Sequence, residues 1–358
     1  MAYNDDSHIL SWIRDIPFNP PSPSQPHHRK RTPSDSEQLA SPPCSQESRR
    51  ANLGVEMPSL SALAVAEDGV EVAPLQISDK RIPHSLIALS RNISNVVGVV
   101  PKYLEAEIAK LNERNDSPYT DFGSHVFLDS EKTYLPHLAP TIELAAVQLI
   151  VAGAADACRN QFDESGWNTT VHAPLLYLVF YGKECRGTQL HRFQACTRAG
   201  VQPAYLINNA QGKKVHFVFY VDAQYDSDPQ PHQLINKIRP ILKDTSIDHS
   251  SQASLCAHPI SVKLLGDKVD ELEFIPGIIV HGDQWFFVAS TYSRSTNKTI
   301  LWYSRSCFGS TDALLWTFKA IASIQHLRAW SDEILWRWYK QHLPAAHASL
   351  CSTNTSMT

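Results

Sequence analysis

The chain has 358 residues, 43% hydrophobic and 19% charged, enough apolar material for one large domain or two small ones. A formal net charge of -4, with an isoelectric point near 6.5, excludes attachment to nucleic acid by bulk charge alone. The seven cysteines are odd in number and contain no CxxC pair, which argues against a disulfide framework or a structural zinc site.

The chain begins Met1-Ala2-Tyr3-Asn4-Asp5-Asp6, without a basic stretch leading into an apolar one, so no signal peptide is expected. No apolar run approaches the roughly 20 residues that span a bilayer, and the expected setting is intracellular with no membrane partner. Ile9-Leu10-Ser11-Trp12-Ile13 is a short amphipathic turn. Nine of the 23 prolines fall between positions 17 and 58, among Ser, Gln and His. Such a composition cannot bury enough apolar surface to offset chain entropy, so residues 1–65 read as a disordered tail. Within it Arg29, Lys30 and Arg31 follow His27-His28 and precede Thr32-Pro33. The cluster is a nuclear-import candidate and equally a solvated charge run.

Residues 66–343 read as one folded domain and 344–358 as a second disordered tail. Val70-Glu71-Val72-Ala73 opens the domain. Leu86, Leu89, Ile93 and Val97 recur at helical spacing. Gly98 and Pro101 end that helix, and Leu104, Ile108 and Leu111 continue the pattern in a second. After a polar loop over 113–135, Pro140-Thr141 opens a long helix that runs to about Arg159, with Ile142, Ala145, Leu149 and Ala152 on its apolar face. Residues 173–181 are apolar throughout, and periodicity does not decide between helix and strand.

Beyond Leu190 the pattern turns to strands. Residues 204–207 form a short one, and Asn208-Asn209-Ala210-Gln211-Gly212 reads as a turn. Val215, Phe217, Phe219 and Val221 then alternate on one face. Residues 223–256 read as a polar loop, and Ile260-Ser261-Val262-Lys263-Leu264-Leu265 as another strand. Ile278-Ile279-Val280, a His281-Gly282-Asp283-Gln284 turn and residues 285–290 make a hairpin, followed by a strand over 299–303. Ser310 caps a final helix with Leu314, Leu315, Phe318, Ile321 and Leu327 inward, and Trp330, Trp336 and Trp338 cluster near its end as packing residues. The order of elements gives an α/β fold around a mixed sheet.

Several segments resemble the signatures of fungal PD-(D/E)XK nuclease-like domain proteins. Glu164-Ser165-Gly166-Trp167-Asn168 with Val171-His172-Ala173-Pro174-Leu175-Leu176 is similar to "ES.WN..VH.PLL". Pro276-Gly277-Ile278-Ile279-Val280-His281-Gly282 with Trp285-Phe286 resembles "PGIIV.G..W.F". Gly309-Ser310-Thr311 and Leu327-Arg328-Ala329-Trp330 resemble the "GST…L..W" block. The resemblance implies a restriction-endonuclease-like core, a mixed central sheet flanked by helices, and a metal-dependent phosphodiesterase centre. That centre needs two carboxylates converging on a hard cation such as Mg²⁺, and a lysine two residues beyond the second acid.

Carried over residue by residue, the helical glutamate is Glu164, the strand aspartate falls on His216, and the second acid falls on Lys263 with Leu265 where the lysine belongs. Sliding the register by two makes Lys263 the lysine and Ser261 the acid position. Neither alignment supplies a carboxylate, and an ammonium at a ligand position repels a cation. Asp222 lies six residues beyond His216, roughly 20 Å along an extended strand at about 3.3 Å per residue. Asp267, Asp270, Glu271 and Glu273 fall in a polar stretch. Residues 266–275 are too few for the family helix between the "E.K" and "PGIIV" strands; a deletion, which would leave one sheet face short of cover, and an error in the gene model both account for this.

The expected protein is therefore a degenerate nuclease-like one, unable to cleave phosphodiesters with a metal and in need of no cofactor. One alternative is an active Mg²⁺-dependent nuclease that uses Glu164 and non-standard acids. The other is a non-catalytic nuclear binding or scaffold protein, whose partner is nucleic acid or a nuclear protein.

Overall fold

A computed structural model describes residues 70–113, 122–128, 141–182, 189–195, 216–238, 268, 271–293 and 298–355. The N-terminal tail with Arg29, Lys30 and Arg31, the strand at 204–207 and the strand carrying Lys263 lie outside these residues.

The central sheet is four-stranded and mixed. Its strands are β1 (Val70–Pro74), β6 (Ile275–His281), β7 (Gln284–Ser293) and β8 (Lys298–Ser310), in the order β1-β8-β7-β6. β1 runs parallel to β8, while β8 with β7 and β7 with β6 are antiparallel. β6 and β7 form the expected hairpin, closed by Gly282 and Asp283 between the paired His281 and Gln284. Gly282 takes a positive φ of 57°, the Gly-X pattern of a type II′ loop, which suits the right-handed twist of the flanking strands.

Helix α1 (His84–Ser94) buries Leu86, Leu89 and Ile93. Val97 lies past its end and is exposed, because Asn95 already terminates the helix. Gly98 turns the chain with a φ of 68° into β2 (Val100–Pro101), which pairs with β3 (Phe127–Leu128). Between them α2 (Glu105–Glu113) buries Ile108.

Helix α3 (Leu144–Arg159) corrects the sequence reading in its face. Leu144, Val147, Ile150, Val151, Ala154 and Ala157 are buried, whereas Ala145, Leu149 and Ala152 face outward. The helix is apolar on nearly every side, so two stripes competed and the bulkier, β-branched one packs inward. Residues 173–181 resolve as helix α5 (Ala173–Tyr181), buried on almost all sides.

With Leu314, Phe318, Ile321 and Ile324 of helix α7 (Leu314–Trp330), these helices and the sheet enclose the main core. α7 is not capped by Ser310, which ends β8; Ala313 holds the cap position, and Thr317 Oγ1 donates to the carbonyls of Ala313 and Ser310.

Three further corrections concern the C-terminal half. β5 (Phe217–Val221) pairs with β4 (His191–Ala195) rather than, among the described residues, with the central sheet. It buries Val218 and Val221, while Phe219 is 39% exposed. The expected loop from 223 contains a helix, α6 (Pro229–Ile238), with Pro231, Ile235 and Ile238 buried. The chain is also helical well beyond 343. A π-helical turn, Ser331–Trp336, leads into α8 (Arg337–Thr355). Leu343 and Ala346 of α8 pack with Trp336, Trp338, Ile235 and Ile238 into a second core, and that burial keeps the supposed tail helical. Trp330 packs instead on Phe274 of the main core, at 5.3 Å between ring centroids. No helix among the described residues is long and apolar enough to cross a membrane.

Candidate functional site

The site is built on the helical run that precedes β4. Asp163 starts it, with Oδ1 accepting the Gly166 N–H at 2.8 Å, and α4 (Glu164–Trp167) follows. A π-helical turn, Asn168–His172, joins α4 to α5. Its cause lies in Pro174 of α5, which has no N–H for the carbonyl of Thr170 and so disfavours a regular α-turn there. Such widened turns recur at functional sites. Asn168 and His172, four residues apart at the two ends of this turn, meet with Oδ1 and Nδ1 at 2.9 Å.

Four side chains then form one continuous chain of contacts. Glu164 Oε1 lies 3.0 Å from His216 Nε2. His216 Nδ1 lies 2.8 Å from the side-chain amide of Asn168. Asn168 meets His172 Nδ1, and His172 Nε2 meets the carbonyl of Gly282 at 2.7 Å. Exposure falls along the chain: the side chain of Glu164 is 73% exposed and that of His216 29%, while His172 is 6% exposed. Trp167 stacks on the His172 ring at 5.8 Å, and Trp285 meets it edge-on at 5.6 Å.

The chain of contacts continues past the peptide of Gly282. The Asp283 carbonyl accepts the Thr311 N–H at 2.9 Å, and Asp283 Oδ2 accepts from Ser310 Oγ at 2.8 Å. One polar path thus links the helical run, the β6–β7 turn and the end of β8. These are the three segments whose sequences carried the resemblance, and their joint occurrence has a physical reason: each supplies partners that the others leave unsatisfied.

Burial drives the His172 proton affinity down; the Gly282 carbonyl opposes this and a charge on His216 reinforces it. For a histidine, a folded-state value below the unfolded one of 6.5 means that the unfolded chain binds more protons in the window beneath 6.5. The stability that His172 contributes is therefore intact above about pH 6.5 and falls as the pH drops through its lowered folded value. Denaturant midpoints of wild type and His172→Gln between pH 5 and 7.5 check this, because the acid-side decline is expected to be shallower in the variant.

Of the residues singled out from sequence, Glu164 and His216 come into contact, whereas Lys263 lies outside the described residues. The other acids weighed as substitutes are engaged elsewhere. Asp222 pairs with Arg192 at 2.8 Å. Glu271 pairs with Lys268 at 3.1 Å and His342 at 2.7 Å, and Glu273 accepts from Ser85 Oγ. Asp267 and Asp270 lie outside the described residues. Asn168 and His172 had been read only as part of a signature. Two polar residues four apart, entering an otherwise apolar helix, were the signal that could have marked them.

A helical carboxylate thus faces the histidine that directly precedes β5, on the mixed α/β scaffold that the resemblance implies. The comparison with known families agrees: the chain belongs to the PD-(D/E)XK nuclease superfamily, whose family model matches residues 107–264 and 261–336, more than half of its length. The two matched stretches overlap at 261–264. No curated protein and no solved structure matches the chain.

Among the described residues, those of the site do not fit the cation that this family implies. A hard divalent ion takes oxygen ligands in near-octahedral geometry. Here the Glu164 carboxylate faces an imidazole nitrogen, and behind that stand an amide and a second imidazole. Among the described residues no group of three His, Cys, Asp or Glu side chains is arranged to hold a metal.

Proposed function

We propose that this protein keeps the nuclease scaffold but has lost metal-dependent phosphodiester cleavage, and that it acts as a non-catalytic binding or scaffold protein in the nucleus. The observation that carries the reading is the contact between Glu164 and His216 at 3.0 Å. The one motif carboxylate that survives is engaged by a histidine standing where the strand aspartate belongs. A metal would have to displace that partner and would gain no oxygen ligand from it. The basic cluster Arg29, Lys30 and Arg31 supports nuclear import, and the family membership supports nucleic acid, or a protein bound to it, as partner.

The competing reading is an active nuclease that recruits other acids to Glu164. The engagement of Asp222, Glu271 and Glu273 with partners of their own speaks against it. The test is incubation of the full chain with single- and double-stranded DNA and RNA in Mg²⁺ or Mn²⁺. Products no more abundant than those of Glu164→Ala are expected. Cleavage that Glu164→Ala abolishes would establish the nuclease instead.

A further inference from the structure

We propose that the first turn of α7 is a phosphate site, with Lys319 as its cation and Trp316 as the surface on which the attached base stacks. Its ligand is a nucleoside phosphate, free or within a single strand. The site does not involve Glu164 or His216. It deepens the reading of nucleic acid as partner, and rests on that reading only for the preference of a strand over a free nucleotide.

The helix start is the first of three features that meet here. No side chain caps α7, and its first turn carries no acidic residue. Among the described residues the N–H groups of Leu314, Leu315 and Trp316 have no acceptor, and Thr317 is the first to find one, on the Ala313 carbonyl. Free N–H groups at a helix start carry partial positive charge and suit an anion. The exposed carboxylate nearest in sequence, that of Asp312, does not take the place of a cap.

Lys319 is the second feature, and it points to a ligand independently of the helix. It is only 6% exposed. Helical side chains lean toward the N-terminus, so Lys319 runs back over the first turn and sets Nζ 4.8 Å from the Trp316 ring centroid. Among the described residues no carboxylate pairs with it. Burial lowers its proton affinity, and the Cys307 thiol alone opposes that shift. An ammonium held this way lacks a counter-ion, which is costly. A phosphate at the helix start supplies the missing charge and accepts from the free N–H groups at once.

Trp316 is the third feature. Its indole lies beside the ammonium and is 42% exposed. A flat aromatic surface next to a cation is the pairing that stacks a base while the phosphate is held. This separates a nucleoside phosphate from inorganic phosphate, which would use Lys319 and the N–H groups but not the indole. With a net charge of -4 on the chain, bulk attraction adds nothing, and a strand depends on a local site of this kind.

The experiment is a titration of an end-labelled single-stranded oligonucleotide with the full chain, read by fluorescence anisotropy, with adenosine monophosphate and inorganic phosphate as competitors. Lys319→Met and Trp316→Ala are each expected to weaken strand binding about tenfold. Lys319→Met is also expected to flatten the slope of log affinity against log salt by about 0.7, the share of one phosphate in a single strand. Adenosine monophosphate is expected to compete better than inorganic phosphate. Should Lys319→Met not fold, Trp316→Ala, at an exposed position, decides alone. Strand binding unchanged in the variants overturns the site and leaves nucleic acid as partner. Equal competition by inorganic phosphate overturns the role of Trp316. Nucleotide binding that Lys319→Met removes, without any strand binding, upholds the site and overturns nucleic acid as partner. Binding of neither overturns both.

Discussion

Gly309→Val is expected to leave little or no folded protein, and Gly309→Ala to fold with a large loss of stability. A Cβ at position 309 would stand 2.6 Å from Cα of Ala320 and 2.7 Å from its backbone nitrogen. The obstacle is main chain, not a side chain that can turn aside, so relief requires α7 to move away from β8. That helix carries Leu314, Phe318, Ile321 and Ile324, all at 1% exposure or less, into the main core. Overpacking costs about 1–3 kcal/mol when side chains can adjust and more when backbone has to shift. For alanine the expected loss is therefore about 3 kcal/mol, a large part of the roughly 5–15 kcal/mol that holds a typical domain together. Denaturant midpoints measure it. An alanine variant within about 0.5 kcal/mol of wild type would contradict the close approach.

Asp226→Ala is expected to disorder the second core. The Asp226 side chain, 4% exposed, accepts from Lys340 Nζ at 3.2 Å, from the Asp228 N–H at 2.8 Å and from Trp336 Nε1. It ties the turn before α6 to the π-helical turn and α8. Burial alone would raise its proton affinity, but these three donors outweigh burial and hold the carboxyl below the ordinary aspartate value of 3.8. The unfolded chain then binds more protons just below pH 3.8, so this contribution is complete above that pH and is lost as the pH falls through the lowered folded value. Removing the carboxylate leaves the indole N–H buried and unpaired. The expected cost is about 3 kcal/mol, at the low end for a broken buried pair because Lys340, 36% exposed, can turn to water. Tryptophan fluorescence and unfolding midpoints report it, and an unchanged emission maximum with an unchanged midpoint would refute the clamp.

Much of the fold was legible because its strongest signals are local. The spacing of Leu86, Leu89 and Ile93 and the turn at Gly282 each required only nearby residues, and the structure has them as read. Where the reading failed, the local signal was ambiguous or sparse. α3 carries apolar side chains on both stripes, so periodicity could not choose its inner face. α6 was passed over because prolines and polar residues dilute it, although Asp228-Pro229 is a helix start and Pro231, Ile235 and Ile238 are helically spaced. α8 looked like a tail because its partners, α6 and Leu272, lie far away in sequence.

The site was legible to a different depth. Glu164 and His216 were found through family resemblance, since nothing in their local spacing brings positions 164 and 216 together. Their contact at 3.0 Å is a tertiary fact. Asn168 and His172 stood in plain view within a signature, but their role depends on the Gly282 carbonyl, more than a hundred residues away. A signature records which residues occur, whereas a hydrogen-bond path becomes visible only with every partner in place.

Calorimetric titration of the full-length protein with Mn²⁺, beside Glu164→Ala as control, tests the central claim most directly. The account predicts no saturable heat that distinguishes wild type from the variant, because the Glu164 carboxylate is already held by His216. A stoichiometric binding isotherm that vanishes in Glu164→Ala would contradict it and restore a metal centre to this scaffold.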